Sequence, residues 1–309
     1  MADDCVPWST AWDDAAIGAR GFYRSAGGRA EDTFATDVKA GLKVAARICD
    51  LAGDRLAALL SEHAAVTVTD VGAGDGTLLT QLMSVLPGPV VEGLRWRVLD
   101  VRERPAALDD RIEWITGEAR VTAPGLTRGP GLVVAHEFLD DIPCEVVQID
   151  EDRRRRLVLV RADGREFMGP PLDDTDACAA LGVDSAALAV WCERWWSRRE
   201  PAARVEVGTT RDRAWISIAE IVDDGLAIAV DYSHLERDRS FGVWDGGTLS
   251  GYRAGRLISP IPDGSCNITA HVAIDACAAA VEAHATVDTT LQPSGSGDDL
   301  WWLVQTMRR

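Results

Sequence analysis

The run Val66-Thr-Val-Thr-Asp-Val71, followed at once by Gly72-Ala-Gly-Asp-Gly76, constrains this chain more than any other feature. Alternating β-branched residues favour an extended strand. Leu78, Leu79, Leu82 and Val85 then recur at helical spacing, so the segment reads as strand, tight turn, helix. Arg95-Trp-Arg-Val-Leu-Asp100, Arg111-Ile-Glu-Trp-Ile115, Gly131-Leu-Val-Val-Ala135 and Leu226-Ala-Ile-Ala-Val230 extend the series of strands. Strands alternating with helices imply βαβ units and a mainly parallel sheet, that is, a Rossmann-like α/β fold.

Glycines at 72, 74 and 76 let the backbone turn sharply and let a ligand approach it closely. The third glycine comes one residue too early for the dinucleotide fingerprint, and the turn is led by an acid, Asp70. A carboxylate there suits an amino-acid ligand bearing an ammonium group better than it suits a pyrophosphate. S-adenosylmethionine, with S-adenosylhomocysteine as its product, therefore fits better than NAD. Asp100 ends the next strand, where its carboxylate can accept hydrogen bonds from two ribose hydroxyls. Glu118, just after the third strand, is a candidate acceptor for an adenine amino group, or else a solvated loop acid. Trp114 either flanks the same pocket or belongs to the core.

His136-Glu-Phe-Leu-Asp-Asp141, with Ile142-Pro143, follows the fourth strand, at the sheet edge where open α/β folds bind ligands. Were the acceptor a guanidinium, Glu137 could hold it by a bidentate pair, with Asp140 or His136 the candidate to take the proton released on methylation. The competing reading is a helix start whose acids favour the helix dipole. His271 and His234 read individually as polar loop residues, and His63 and His284 show no partner in the sequence. The metal-binding spacing H-E-x-x-H does not occur, so no metal site is expected.

Outside these blocks, residues 1–62 read as an N-terminal helical segment, with Asp37 to Leu60 the clearest stretch. Residues 63–309 read as the cofactor-binding domain, with an inserted hairpin and helical subdomain at about 150–220. Between the fourth and fifth strands, Cys144 to Ile149 and Arg156 to Val160 flank the polar Asp150-Glu-Asp-Arg153 as a hairpin that Phe167-Met-Gly-Pro-Pro171 ends. Trp191, Trp195 and Trp196 suggest a helix with aromatics on one face. Leu300 to Gln305 is a last strand. The net charge of −17 repels phosphate backbones, so nucleic acid is not an expected partner, whereas a basic protein is. No apolar run has the length of a membrane span, so no membrane association is expected. The first residues lack a basic or apolar leader, and the seven cysteines include no C-x-x-C pair, which together point to a reducing, cytoplasmic setting.

In order along the chain, these segments resemble the MidA-like family of S-adenosylmethionine-dependent methyltransferases, whose mitochondrial members assist respiratory complex I assembly. Gly21-Phe-Tyr23, Phe34-Ala-Thr36, Asp70 to Gly76 and His136 to Pro143 are similar to successive family blocks. So are Val205-Glu206 and Asp231-Tyr232. Gly247-Thr-Leu-Ser-Gly-Tyr-Arg253 and Asn267-Ile-Thr-Ala-His-Val272 resemble its most specific strings. The resemblance implies a class I methyltransferase fold, S-adenosylmethionine as donor and protein arginine as acceptor. Two departures stand out. His136 replaces an asparagine, and Asp37-Val-Lys39 replaces a proline and glutamate after Thr36. Those departures leave room for a cofactor-binding assembly factor that has lost transfer, while a small-molecule methyltransferase would differ only in its acceptor pocket.

Overall fold

The expected strand–turn–helix is formed by β1 (Val66–Val71) and α2 (Thr77–Val85), preceded by the long helix α1 (Lys43–Glu62). The computed structural model describes residues 4–24, 42–295 and 299–308, so Phe34 to Lys39 and the predicted start of α1 lie outside the described residues. The chain divides into two compact units, each assembled from separated stretches.

One unit comprises 29–139, 213–231 and 278–309. Besides β1 it contains β2 (Leu94–Asp100), β3 (Ile112–Thr116), β4 (Gly129–His136), most of β5 (Val222–His234), β6 (Val287–Pro293) and β7 (Leu300–Met307). The strand order is β6-β7-β5-β4-β1-β2-β3. Pairs β1–β2, β1–β4, β2–β3 and β4–β5 are parallel, and β6–β7 is antiparallel. The chain runs outward from β1 to β3 and then returns to β4 on the other side of β1. That reversal opens a crevice at the carboxyl ends of β1 and β4. Central strands of such a sheet are covered on both faces and so read as near-continuous apolar runs. β1 and β4 obey this, with Val68, Val71 and Leu132 to Ala135 buried. Helix α1 buries Ala45, Ile48, Ala52, Leu56 and Leu59, a stripe at helical period.

At the end of α1, His63 Nε2 lies 3.4 Å from Asp224 Oδ2, and Arg55 also bonds Asp224. The expectation that His63 has no partner is thus corrected: its partner lies 161 residues away in sequence. Glu62, His63 and Asp224 are close enough together to hold a cation, but Arg55 already pairs with both acids, so the group reads as an ion-pair network.

The other unit comprises 1–28, 140–212 and 232–277. Its main sheet takes Val6–Pro7, Arg155–Val160, Glu145–Ile149 and Arg204–Val207 in that order, antiparallel throughout. The hairpin about Asp150–Arg153 is present. Glu166–Pro171, expected only to end it, is a further antiparallel strand on Arg155–Val160, with Glu166, Phe167 and Met168 opposite Val160, Leu159 and Val158, and Pro171 opposite Arg156 across a register shift. The tryptophan helix is Ser185–Trp195, N-capped by Asp184. Trp196 falls just beyond it yet packs with Trp191 in the core that covers one face of this sheet. Trp8 and Trp12 belong to a second buried cluster with Val146, Val158 and Ile268. The two most specific sequence strings are strand neighbours, Ser250–Arg253 pairing antiparallel with Asn267–Thr269. Among the described residues, no helix is long and apolar enough to cross a membrane.

Candidate functional site

The crevice begins at β1. Asp70 is its penultimate residue and Gly72 the first residue of the turn, where its N–H donates to Leu99 O at 2.9 Å. Gly72, Gly74 and Gly76 have φ of 71°, 67° and 80°, the left-handed region that costs other residues energy. Gly72 is doubly constrained, because a Cβ there would overlap the ring of Phe138.

Asp70 is buried, and its Oδ2 has no hydrogen-bond partner. Burial, reinforced by the nearby charges of Asp100 and Asp75, pushes its carboxyl up to about 8. Asp100, also buried, ends β2 beside β1. Its Oδ2 accepts Gly74 N–H at 2.9 Å, and its Oδ1 accepts Arg102 N–H at 2.8 Å and Arg102 Nε at 3.3 Å. These bonds lock the rotamer of Asp100 and tie it to the glycine turn, while Oδ2 retains a lone pair for a ligand hydroxyl. Gly117 N–H donates to Asp100 O at 2.8 Å, which brings the Glu118 loop to the same strand end. Glu118 itself N-caps a short helix through Arg120 N–H at 3.0 Å and pairs with the Arg120 side chain. Trp114 Nε1 donates to Arg102 O at 2.9 Å, bracing the segment that holds Asp100.

The acidic loop starts where β4 ends. No helix begins there: the chain turns irregularly from Glu137 to Cys144 and enters the strand Glu145–Ile149, which removes the helix-start explanation for its acids. His136 is buried and neutral, because desolvation lowers its pKa to about 4, and its Nε2 has no hydrogen-bond partner. Its Nδ1 stands 3.6 Å from Glu137 Oε1. Glu137 has φ of 48°, a left-handed conformation uncommon for a non-glycine residue and concentrated at functional positions. Its N–H donates to Val230 O at 2.8 Å. The next two N–H groups, of Phe138 and Leu139, both donate to Asp231 Oδ2, at 3.1 and 2.7 Å. Together with the Phe138 ring on Gly72, these contacts fold the loop against the glycine turn. Asp70, the glycines, Asp100, the Glu118 loop, His136 and Glu137 are therefore gathered at one edge of one sheet.

Asp140 and Asp141 belong to the other unit. Asp140 is buried, and its carbonyl accepts Arg211 Nη2 at 2.9 Å and Ala270 N–H at 3.1 Å. Arg211 also donates to Ile142 O at 3.1 Å and His271 O at 2.8 Å, so one buried guanidinium joins two of the sequence motifs. Asp141 accepts from Tyr23 Oη and from Asn267 Nδ2 at 3.0 Å, and burial beside Asp140 raises its pKa well above the carboxylate range. His234 is buried and neutral, since burial and Arg239 lower its pKa, and its Nδ1 accepts from Arg239 at 2.9 Å. It is a core histidine.

Asp231, Arg102, Phe138 and Arg211 take part in this architecture without being singled out by sequence reasoning as site residues. Asp231 left one usable signal: like Asp70 and Asp100, it is an acid at the carboxyl end of a predicted central strand.

A family model for S-adenosyl-L-methionine-dependent methyltransferases matches residues 53–291 of this chain. No curated protein matches it. Among solved structures, a COG1565 superfamily member from Burkholderia thailandensis bound to S-adenosyl-homocysteine is similar with a TM-score of 0.73 at 17% identity, the match covering 99% of this chain and 88% of that one. A native structure of a COG1565 superfamily protein from the same organism gives a TM-score of 0.71 at 18% identity, with the same coverages. At such identities the likeness establishes the fold.

Proposed function

Since the chain belongs to that family of S-adenosylmethionine-dependent methyltransferases, we propose that it methylates a nitrogen of a protein side chain, arginine before others. The crevice residues fit the cofactor. Asp70 offers a buried, unpartnered oxygen to an ammonium group, Gly72 and Gly74 form the sharp left-handed turn at the crevice, and Asp100 offers acceptors to the ribose. When bound, the cofactor supplies a methyl group on a positively charged sulfur. The acceptor nitrogen forms the new N–C bond as the S–C bond breaks, and the electron pair stays on sulfur. The protein's share is to align the acceptor, exclude water and take up the proton the nitrogen loses.

One observation carries this reading: Glu137, a buried-loop carboxylate in a left-handed conformation, is held in place from its own backbone and from the two following residues. A carboxylate fixed at that edge orients a guanidinium and favours its charge through transfer. His136, neutral with an unpaired Nε2 at the same edge, can accept a hydrogen bond from the acceptor nitrogen, but its lowered pKa makes it a weak base, which leaves Asp140 as the other sequence candidate for taking the proton. The resemblance to the MidA-like family supports arginine as the acceptor, and the chain's net charge of −17 suits a basic partner.

The test is transfer from radiolabelled S-adenosylmethionine to proteins of a cell extract, followed by hydrolysis and identification of the methylated amino acid, with wild type and Glu137→Gln in parallel. Labelled methylarginine is expected, with transfer reduced by about 10²-fold in the variant at unchanged S-adenosylhomocysteine affinity. Label on another residue or on small molecules redirects the acceptor assignment. Equal turnover in the two proteins removes Glu137 from the acceptor site.

A further inference from the structure

We propose that Asp231 is the positioning residue for Glu137, an inference that rests on the reading of Glu137 given above. Asp231 is fully buried in β5, one residue past its last pair with β4, in which Val230 lies opposite His136. From there its Oδ2 accepts the N–H groups of Phe138 and Leu139, while the carbonyl of its own neighbour Val230 accepts the N–H of Glu137. Three successive amides of the loop are thus bound by two successive residues of one strand.

This arrangement answers a physical problem. A glutamate at φ of 48° persists only where the surroundings over-determine it, and a loop that leaves a sheet has no ladder to satisfy its amides. A carboxylate is well suited to hold two adjacent N–H groups, because charge-assisted bonds are shorter and stronger than neutral ones. The second consequence is on the far side of the loop, where the Phe138 ring is pressed onto Gly72, the residue that cannot carry a Cβ. Asp231 therefore fixes the loop between β5 and the glycine turn, and the direction of Glu137 follows. A purely structural acid would stabilise the loop without affecting what Glu137 does.

A double-mutant cycle separates the two roles, measured as methyl transfer to extract proteins at saturating S-adenosylmethionine together with melting temperature. Asp231→Ala removes the acceptor, and Asp231→Asn keeps one neutral oxygen in the same place. If Asp231 acts through Glu137, Asp231→Ala lowers turnover by about 10²-fold, as Glu137→Gln does, and Asp231→Asn recovers about tenfold of that loss. In the Glu137→Gln background, either Asp231 change then lowers turnover less than threefold further, because the group it positions is already gone. Should Asp231→Ala not fold, Asp231→Asn completes the cycle alone, with about a tenfold loss in wild type and less than threefold in Glu137→Gln. Additive losses in the two backgrounds, or normal turnover with only a lower melting temperature, overturn the proposal. If the wild-type protein transfers no methyl group to any protein, the acceptor reading fails first and this role fails with it. An active wild type with an additive cycle refutes the positioning role alone.

Discussion

The raised carboxyl of Asp70 makes cofactor affinity depend on pH in a direction and size that can be worked out. With its pKa pushed to about 8 by burial, Asp70 is mostly protonated in the free protein at neutral pH. An ammonium group seated against its unpartnered Oδ2 requires the carboxylate, so binding must expel that proton. The apparent dissociation constant then scales as one plus ten to the power of the pKa minus the pH. Relative to the fully ionised site, this weakens binding about twofold at pH 8, about 11-fold at pH 7 and about 100-fold at pH 6. Affinity for S-adenosylhomocysteine should therefore fall roughly 50-fold from pH 8 to pH 6, about 2.3 kcal/mol, with close to one proton released per ligand at pH 6. Calorimetry in two buffers of different ionisation enthalpy measures both quantities. Asp70→Asn should abolish the dependence, so that its deficit relative to the wild type is largest at pH 8 and shrinks towards pH 6. The folding linkage has a definite sign as well. Between about 4 and 8 the native state of the free protein holds a proton that the unfolded chain has lost, so this group makes stability decline as pH rises through that window. Equal affinity at pH 6 and 8 with no proton release, or an unchanged slope in Asp70→Asn, would refute the contact between Asp70 and the ligand's ammonium group.

Asp100→Ala should weaken S-adenosylhomocysteine binding by 10²-fold or more, since two charge-assisted hydrogen bonds are each worth roughly 1.5–3 kcal/mol; unchanged affinity in a folded variant would reject the ribose placement. His136, whose pKa drops to about 4 on folding, binds fewer protons in the native state than in the unfolded chain between pH 4 and 6.5. Its contribution is complete above that window and lost as pH falls, by about 2 kcal/mol at pH 5. His136→Asn should accordingly show a shallower decline of the urea midpoint between pH 7 and pH 5, and parallel declines in the two proteins would show that His136 does not charge on unfolding.

What could be read from the sequence follows the range of the interactions involved. β1 and its glycine turn were legible to the residue because strand propensity, turn geometry and helical period are all local there. Asp100 was legible for the same reason, as an acid at a strand end. Glu137 was legible only as one of several acids. What distinguishes it is its left-handed backbone, and the contacts that hold that backbone come from residues 92 and 93 positions away. No sequence period reports such a contact. The same limit hid the pairing of His63 with Asp224, and the guanidinium of Arg211 that spans from Asp140 to His271. It also explains Trp196, where a helical aromatic pattern placed the right residue in the core but in the wrong element, since burial against the antiparallel sheet needs no helix at that position. Where a carboxylate ends a central strand, however, topology turns a local signal into a long-range one. Asp70 and Asp100 lie at the carboxyl ends of β1 and β2, Asp231 lies just past the stretch of β5 that pairs with β4, and parallel registers carry all three to the same edge. The first two face the turn, and the third binds the loop that closes on it. A strand-end acid in a parallel α/β sequence is thus informative before any contact is known, because the sheet leaves it only one edge at which to act.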